Sequence, residues 1–162
     1  MFDTLGNIGD FVGGVGVVVT LVYLAVQIRQ NTTSTRTESY QSVVAAISEW
    51  TREVGKDPDS SRIFQTGCLS LDDLTEQEWV QFNLIMAALV RNLENIHYQY
   101  LRRSIDDDAW VGWAKRTHSL LEPDGAQQWW RSHEEAYSPA FREFVNSLES
   151  GASLPESAVR RK

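Results

Sequence analysis

The chain opens on an apolar run and then changes to amphipathic helical patterning. From Phe11 to Val26 it reads FVGGVGVVVTLVYLAV, and with Gln27 and Ile28 there are eighteen uncharged positions between Asp10 and Arg29. A bilayer core takes roughly 20 apolar residues, with about 17 as the lower limit, so the run predicts one N-terminal transmembrane helix. Valine and glycine are poor helix formers in water, but lipid forces the backbone to bond internally. A cleavable signal peptide is a weaker reading, because residues 1–10 carry two acids and no base. A buried helix of a soluble protein is the other competitor, since eighteen residues is close to the threshold.

Beyond Asn31 the pattern turns polar over Thr32–Thr37, which reads either as a hinge or as a helix running straight through. An unbroken helix from Phe11 to Val54 would be about 66 Å long. Tyr40, Val43, Ile47, Trp50 and Val54 then recur at steps of three and four, one stripe of an amphipathic helix stopped by Gly55 and Asp57-Pro58-Asp59. A short helix is expected over Ser60–Thr66, ended by Gly67. Thr75-Glu76-Gln77-Glu78 is a capping box. It starts a helix of about eight turns carrying Trp79, Phe82, Met86, Leu89, Leu93, Ile96 and Tyr100, the natural antiparallel partner of the Tyr40–Val54 stripe. Asp106-Asp107-Asp108 suits a helix start.

Three shorter helices follow, bearing Trp110, Trp113 and Leu121, then Trp129, Trp130 and Tyr137, then Phe141, Phe144, Val145 and Leu148. No segment alternates as a strand does. The expectation is an all-α protein: a membrane anchor over residues 1–31, an antiparallel bundle of about five or six helices over 32–150, and a polar, disordered tail over 151–162.

Charge and composition narrow the choice of function. The net charge is −7, with 22 acids against 15 scattered bases, and no basic face exists for nucleic acid. Cys68 is the only cysteine, which rules out an intramolecular disulfide and a cysteine-rich zinc site. Acids precede the apolar run, and Arg29 and Arg36 follow it. The positive-inside rule therefore puts the helical domain in the cytoplasm. Gly9, Gly13 and Gly16 share one side of the helix at spacings of four and three. They read as a seam for another helix, or simply as the glycine enrichment of membrane helices.

Candidate chemistry is sparse. Glu94 and His97 form Glu-x-x-His, the spacing of carboxylate-bridged metal bundles, but those need two such motifs and further glutamates. The pair is thus only a weak metal candidate, and a lone His beside an apolar stripe is more often a core residue. His118 stands apart, and His133-Glu134 are neighbours that face different ways. Gly13-Gly14-Val15-Gly16 lacks the lysine of a phosphate loop. Arg91, Glu94, Asn95, Tyr98, Gln99 and Arg102 form a polar face on the long helix that could line a pocket, bind a partner, or simply be solvated. Trp110, Trp113, Trp129 and Trp130 read as core, as an interfacial belt, or as the wall of a ligand pocket.

Leu5-Gly6-Asn7-Ile8-Gly9-Asp10-Phe11, with Tyr23-Leu24-Ala25-Val26-Gln27-Ile28-Arg29-Gln30-Asn31, resembles the start of a broad group of small bacterial single-pass membrane proteins of unknown function. Glu94-Asn95-Ile96-His97-Tyr98-Gln99-Tyr100 and Trp129-Trp130 are similar to that group as well. The resemblance extends to about Leu148. It implies a bacterial inner-membrane protein with an anchored helical domain, and no activity. The resulting expectation is a non-catalytic, cofactor-free module that self-associates or serves a membrane assembly, with lipid and a second copy or a membrane protein as partners. A small-ligand sensor built on the tryptophan-bearing helices and a metal-dependent enzyme at Glu94 and His97 are the alternatives.

Overall fold

The computed structural model describes residues 2–149, with the side chains of residues 14 and 16–148 apart from 33 and 35. Among the described residues every regular element is helical: α1 (Phe2–Lys56), α2 (Pro58–Leu69), α3 (Glu76–Leu101), α4 (Asp107–Leu121), α5 (Asp124–His133) and α6 (Pro139–Glu149). Single 3-10 turns occupy Leu71–Asp73 and Glu134–Ala136. The all-α helical bundle expected from the patterning is therefore the architecture of the chain. The tail over 151–162 lies outside the described residues. Two compact units divide at Glu38 and Ser39.

The first unit contains the early part of α1. Backbone helicity continues through residues 32–37, so of the two readings of that stretch the helix prevails. Thr20 and Thr32 turn their hydroxyls back onto the carbonyls of Gly16 and Ile28, at 2.8 and 2.9 Å, which satisfies them within the helix. The apolar side chains here meet no other element of this unit. Val17, Val19 and Ile28 are 59, 62 and 67% exposed, and Val18, Leu21, Val22, Leu24 and Val26 are exposed as well. Among the described residues no helix is long and apolar enough to cross a membrane.

The second unit is the bundle. Asp57 accepts the Ser60 amide at 3.1 Å and Pro58 occupies the first turn, an arrangement that starts α2 without losing a helical hydrogen bond. The helix does not stop at Gly67 as expected from sequence but runs on to Leu69, with Gly67 and Cys68 buried inside it. The reason is tertiary. A Cβ at Gly67 would sit 2.6 Å from Cγ of Phe82, and one at Gly125 would run into the Gly67 carbonyl oxygen and stand 3.0 Å from the Ser70 nitrogen. These two glycines mark a close crossing of α2 and α5, not a turn.

Thr75 and Glu78 complete the capping box of α3, and Arg62 reaches the same Glu78 carboxylate at 2.7 Å. The Thr75 amide, the Arg62 guanidinium and the Thr75 hydroxyl together hold that carboxyl down at about 2. Along α3, Phe82, Met86, Leu89, Val90, Leu93 and Ile96 are fully buried. The helix closes with Arg103 in the left-handed region (φ 57°), while the Ser104 amide bonds Gln99 O at 2.9 Å.

From the second part of α1, Val43 is buried, Ile47 and Trp50 pack against the core, and Trp50 Nε1 donates to the Ile85 carbonyl of α3 at 3.1 Å. Tyr40, at the start of that stripe, is 42% exposed. Trp110, Ala114, Leu121, Trp129, Trp130, Phe141 and Val145 from α4, α5 and α6 fill the rest. Trp129 Nε1 donates to Asn83 Oδ1 at 2.8 Å and Trp130 Nε1 to Asn146 Oδ1 at 3.0 Å, so the two deepest indoles enter the core without an unmet donor. Asp106 precedes α4 but makes no side-chain cap bond; Asp107 and Asp108 instead place charge in its positive first turn.

Candidate functional site

Two surfaces carry the residues singled out by sequence: the polar face of α3 and one face of early α1. On α3, Glu94 Oε1 accepts the backbone amide of Ser138 at 2.7 Å, and Oε2 is paired with Arg91. Arg91 also donates to the Ala136 carbonyl at 3.3 Å and lies over the Tyr137 ring at 4.6 Å. Burial disfavours the charged Glu94, but the Ser138 amide and hydroxyl and the Arg91 guanidinium outweigh it, so its carboxyl stays below the ordinary range. Burial raises the Tyr137 phenol, Arg91 opposes that, and Glu94 adds to it. Together these groups clamp α3 to the turn that opens α6.

His97 lies one turn along and is 7% exposed. It stacks on Phe144 at 4.9 Å and packs near Trp110 and Phe141 at 5.4 and 5.7 Å. Burial lowers its pKa, with Glu94 pulling the other way. Glu94 has both oxygens engaged and His97 is walled by rings, so the Glu-x-x-His pair acts here as a cap and a core residue. Among the described residues no group of three or more His, Cys, Asp or Glu is placed to hold a metal ion.

The remaining members of the polar face are exposed, apart from the half-buried Gln99, whose Oε1 is buried without a hydrogen-bond partner. Asn95 and Tyr98 are exposed, Gln99 Nε2 donates to Asn95 Oδ1 at 3.4 Å, and Arg102 lies over the Tyr98 ring at 5.2 Å. Of the four tryptophans considered as a pocket wall, Trp110, Trp129 and Trp130 are core and Trp113 packs against it. His118 borders an open cleft of about 330 Å³ with Glu122, Gln127 and Arg131, where Gln127 bonds both the Glu122 carbonyl and Arg131. His133 stacks on Trp129, and Glu134 accepts from Asn146, so these sequence neighbours do not act together. Burial pushes the Cys68 thiol up to about 11, which leaves it unreactive.

The clamp was not anticipated from sequence. One signal was available: α6 begins at Ser138-Pro139 with no acid in its own first turn, a helix start that a carboxylate from elsewhere would complement.

On early α1, Gly16, Thr20, Tyr23 and Gln27 follow at steps of four, three and four, which places them on one side of the helix. A Cβ at Gly16 would meet nothing within 4 Å, so no packing inside the chain requires a glycine there. Gln27 Nε2 donates to Tyr23 Oη at 2.7 Å, and a shallow groove runs past Gln27, Gln30 and Ser34. Gly9 and Gly13 lie outside the residues whose side-chain surroundings are described.

No family model matches the chain, and no curated protein or solved structure matches it either.

Proposed function

We propose that this chain is a single-pass bacterial membrane protein whose N-terminal helix anchors an acidic helical bundle at the cytoplasmic face of the inner membrane. In this reading the bundle is a non-catalytic module of a membrane assembly. The observation that carries it is the exposure of Val17, Val18, Val19, Leu21, Val22, Tyr23, Leu24, Val26 and Ile28 on a helix that is apolar around most of its circumference. Full burial of one such side chain is worth about 1.5–3 kcal/mol, so leaving the set in water forgoes on the order of 10 kcal/mol. That rivals the whole stability of a domain, roughly 5–15 kcal/mol. Lipid covers such a surface without requiring any shape from the chain. Taken with Phe11–Val15, the uncharged run reaches eighteen residues, enough for about 27 Å of helix. Arg29 and Arg36 set the orientation. On the bundle side, Glu94, Arg91 and His97 are engaged in holding α3 to α6, which supports an interaction role over catalysis.

The test is alkaline carbonate extraction of bacterial membranes containing the full-length chain, followed by protease treatment of spheroplasts. Retention in the pellet, with the bundle protected from external protease, is expected. Release into the carbonate supernatant would sink the anchor.

A further inference from the structure

We propose that the face of α1 carrying Gly16, Thr20, Tyr23 and Gln27 is where a second copy of this chain docks, helix against parallel helix. The inference rests on the membrane anchor proposed above and adds which face is used, by what, and through which groups. Glycine alone would carry nothing here. The argument lies with the polar side chains. Within Gly16–Ile28 the side chains able to hydrogen-bond are Thr20, Tyr23 and Gln27, and all three fall on the sector that also holds Gly16. Valines and leucines occupy the remaining azimuths. Proximity to the membrane surface would account for polar groups near Arg29 at any azimuth. It does not account for their alignment, nor for Thr20 two turns deeper.

Two of the three groups have hydrogen-bonding capacity left over. Thr20 is satisfied by the Gly16 carbonyl. Gln27 uses one N–H on Tyr23, and no other bond of its amide is formed within the described residues. Its second N–H and its carbonyl oxygen, and the phenolic proton of Tyr23, take no further partner within the described residues, and both side chains are exposed. Gln27 lies at the edge of the uncharged run, two residues before Arg29, and Tyr23 one turn deeper, where lipid tails offer no partner. A primary amide is self-complementary, donor on one side and acceptor on the other. Copies of a single-pass chain all enter the membrane the same way round, so Gln27 meets Gln27 of its neighbour at equal depth. The open space over Gly16 lets the two backbones approach farther along the same face. Steps of four and three give the left-handed crossing of a parallel pair.

The experiment is single-cysteine scanning of the full-length chain in native membranes with copper–phenanthroline oxidation. The buried, unreactive Cys68 stays in place, and the unsubstituted chain serves as control. Disulfide dimers should peak for Gly16→Cys, Thr20→Cys, Tyr23→Cys and Gln27→Cys, and fall to background for Val18→Cys, Leu21→Cys and Ala25→Cys, because bridging needs Cβ atoms about 4 Å apart. Independently, Gln27→Leu should weaken dimerisation in mild detergent by roughly threefold to thirtyfold, with Gln27→Asn retaining part of it. A flat scan, a scan peaking on the Val18 side, or no self-cross-link in carbonate-resistant membranes would overturn the docking face and leave the anchor standing. A chain washed off by carbonate would overturn both.

Discussion

Early α1 and α3 are both long helices, yet they meet their surroundings in opposite ways. On α3 the main apolar stripe, from Phe82 to Ile96, disappears into the core, while Val80, Leu84 and Leu101 on its other faces stay exposed. On α1 between Gly16 and Ile28 they cover every side but the Gly16, Thr20, Tyr23 and Gln27 sector, and all of them remain exposed. The first pattern is completed by neighbouring helices of the same chain, whereas the second must be completed from outside it. So broad an apolar surface gives a soluble partner no preferred azimuth, and only the few polar positions give the helix a direction.

Predictions can break that contrast from either side. The largest effect is expected in the core: Trp130→Ala removes a fully buried ring and its Nε1 bond to Asn146 Oδ1. It should cost about 3–5 kcal/mol in bundle stability by denaturant unfolding, with membrane retention unchanged. The converse substitution is Val19→Asp. A carboxylate at mid-span costs about 2.5–3.5 kcal/mol on insertion scales, so the carbonate-resistant fraction should fall while the melting temperature of the bundle stays put. A shared effect of either substitution on both readouts would show that the two regions are not independently stabilised.

A smaller effect concerns pH. Burial holds the His97 pKa below its ordinary value near 6.5, so the native state prefers the neutral ring. Its contribution is complete above pH 6.5 and is lost as pH falls below that through the lowered native value. The bundle should therefore melt at progressively lower temperature between pH 6.5 and 5, and His97→Leu should flatten that segment of the profile. The smallest effect, and one of opposite sign, is at Arg103. Its positive φ suits glycine, so Arg103→Gly should leave stability unchanged or raise it by about 1 kcal/mol in urea unfolding.

The elements were legible in the sequence where a local rule governs them. The Thr75–Glu78 box and the α3 stripe from Phe82 to Ile96 follow the local pattern, because each depends on residues within a turn or two of one another, whereas Asp57-Pro58-Asp59, expected as a turn, caps and opens α2. Gly67 was misread because glycine has two structural uses. It ends helices and it admits a neighbouring backbone, and only the position of Gly125 and Phe82 reveals which use applies. Glu94 and His97 illustrate the same limit at the candidate site. Their spacing puts them on adjacent turns of one helix face, but the Ser138 amide and the Phe144 ring that occupy them come from more than forty positions away. The pairing of Trp129 with Asn83 and of Trp130 with Asn146 is likewise a property of the packed helices, not of any window of sequence.

The placement of the indoles has a spectroscopic consequence. All six tryptophans, Trp50, Trp79, Trp110, Trp113, Trp129 and Trp130, belong to the bundle unit, and none precedes Ser39. Tryptophan emission is therefore a signal from the bundle alone and is blind to the helix around Tyr23. Buried indoles such as Trp129 and Trp130 should emit toward the blue and shift red only when the bundle opens. Changing the detergent or lipid around the N-terminal helix can then be followed by a dye attached there while tryptophan reports, in the same cuvette, whether the bundle has noticed.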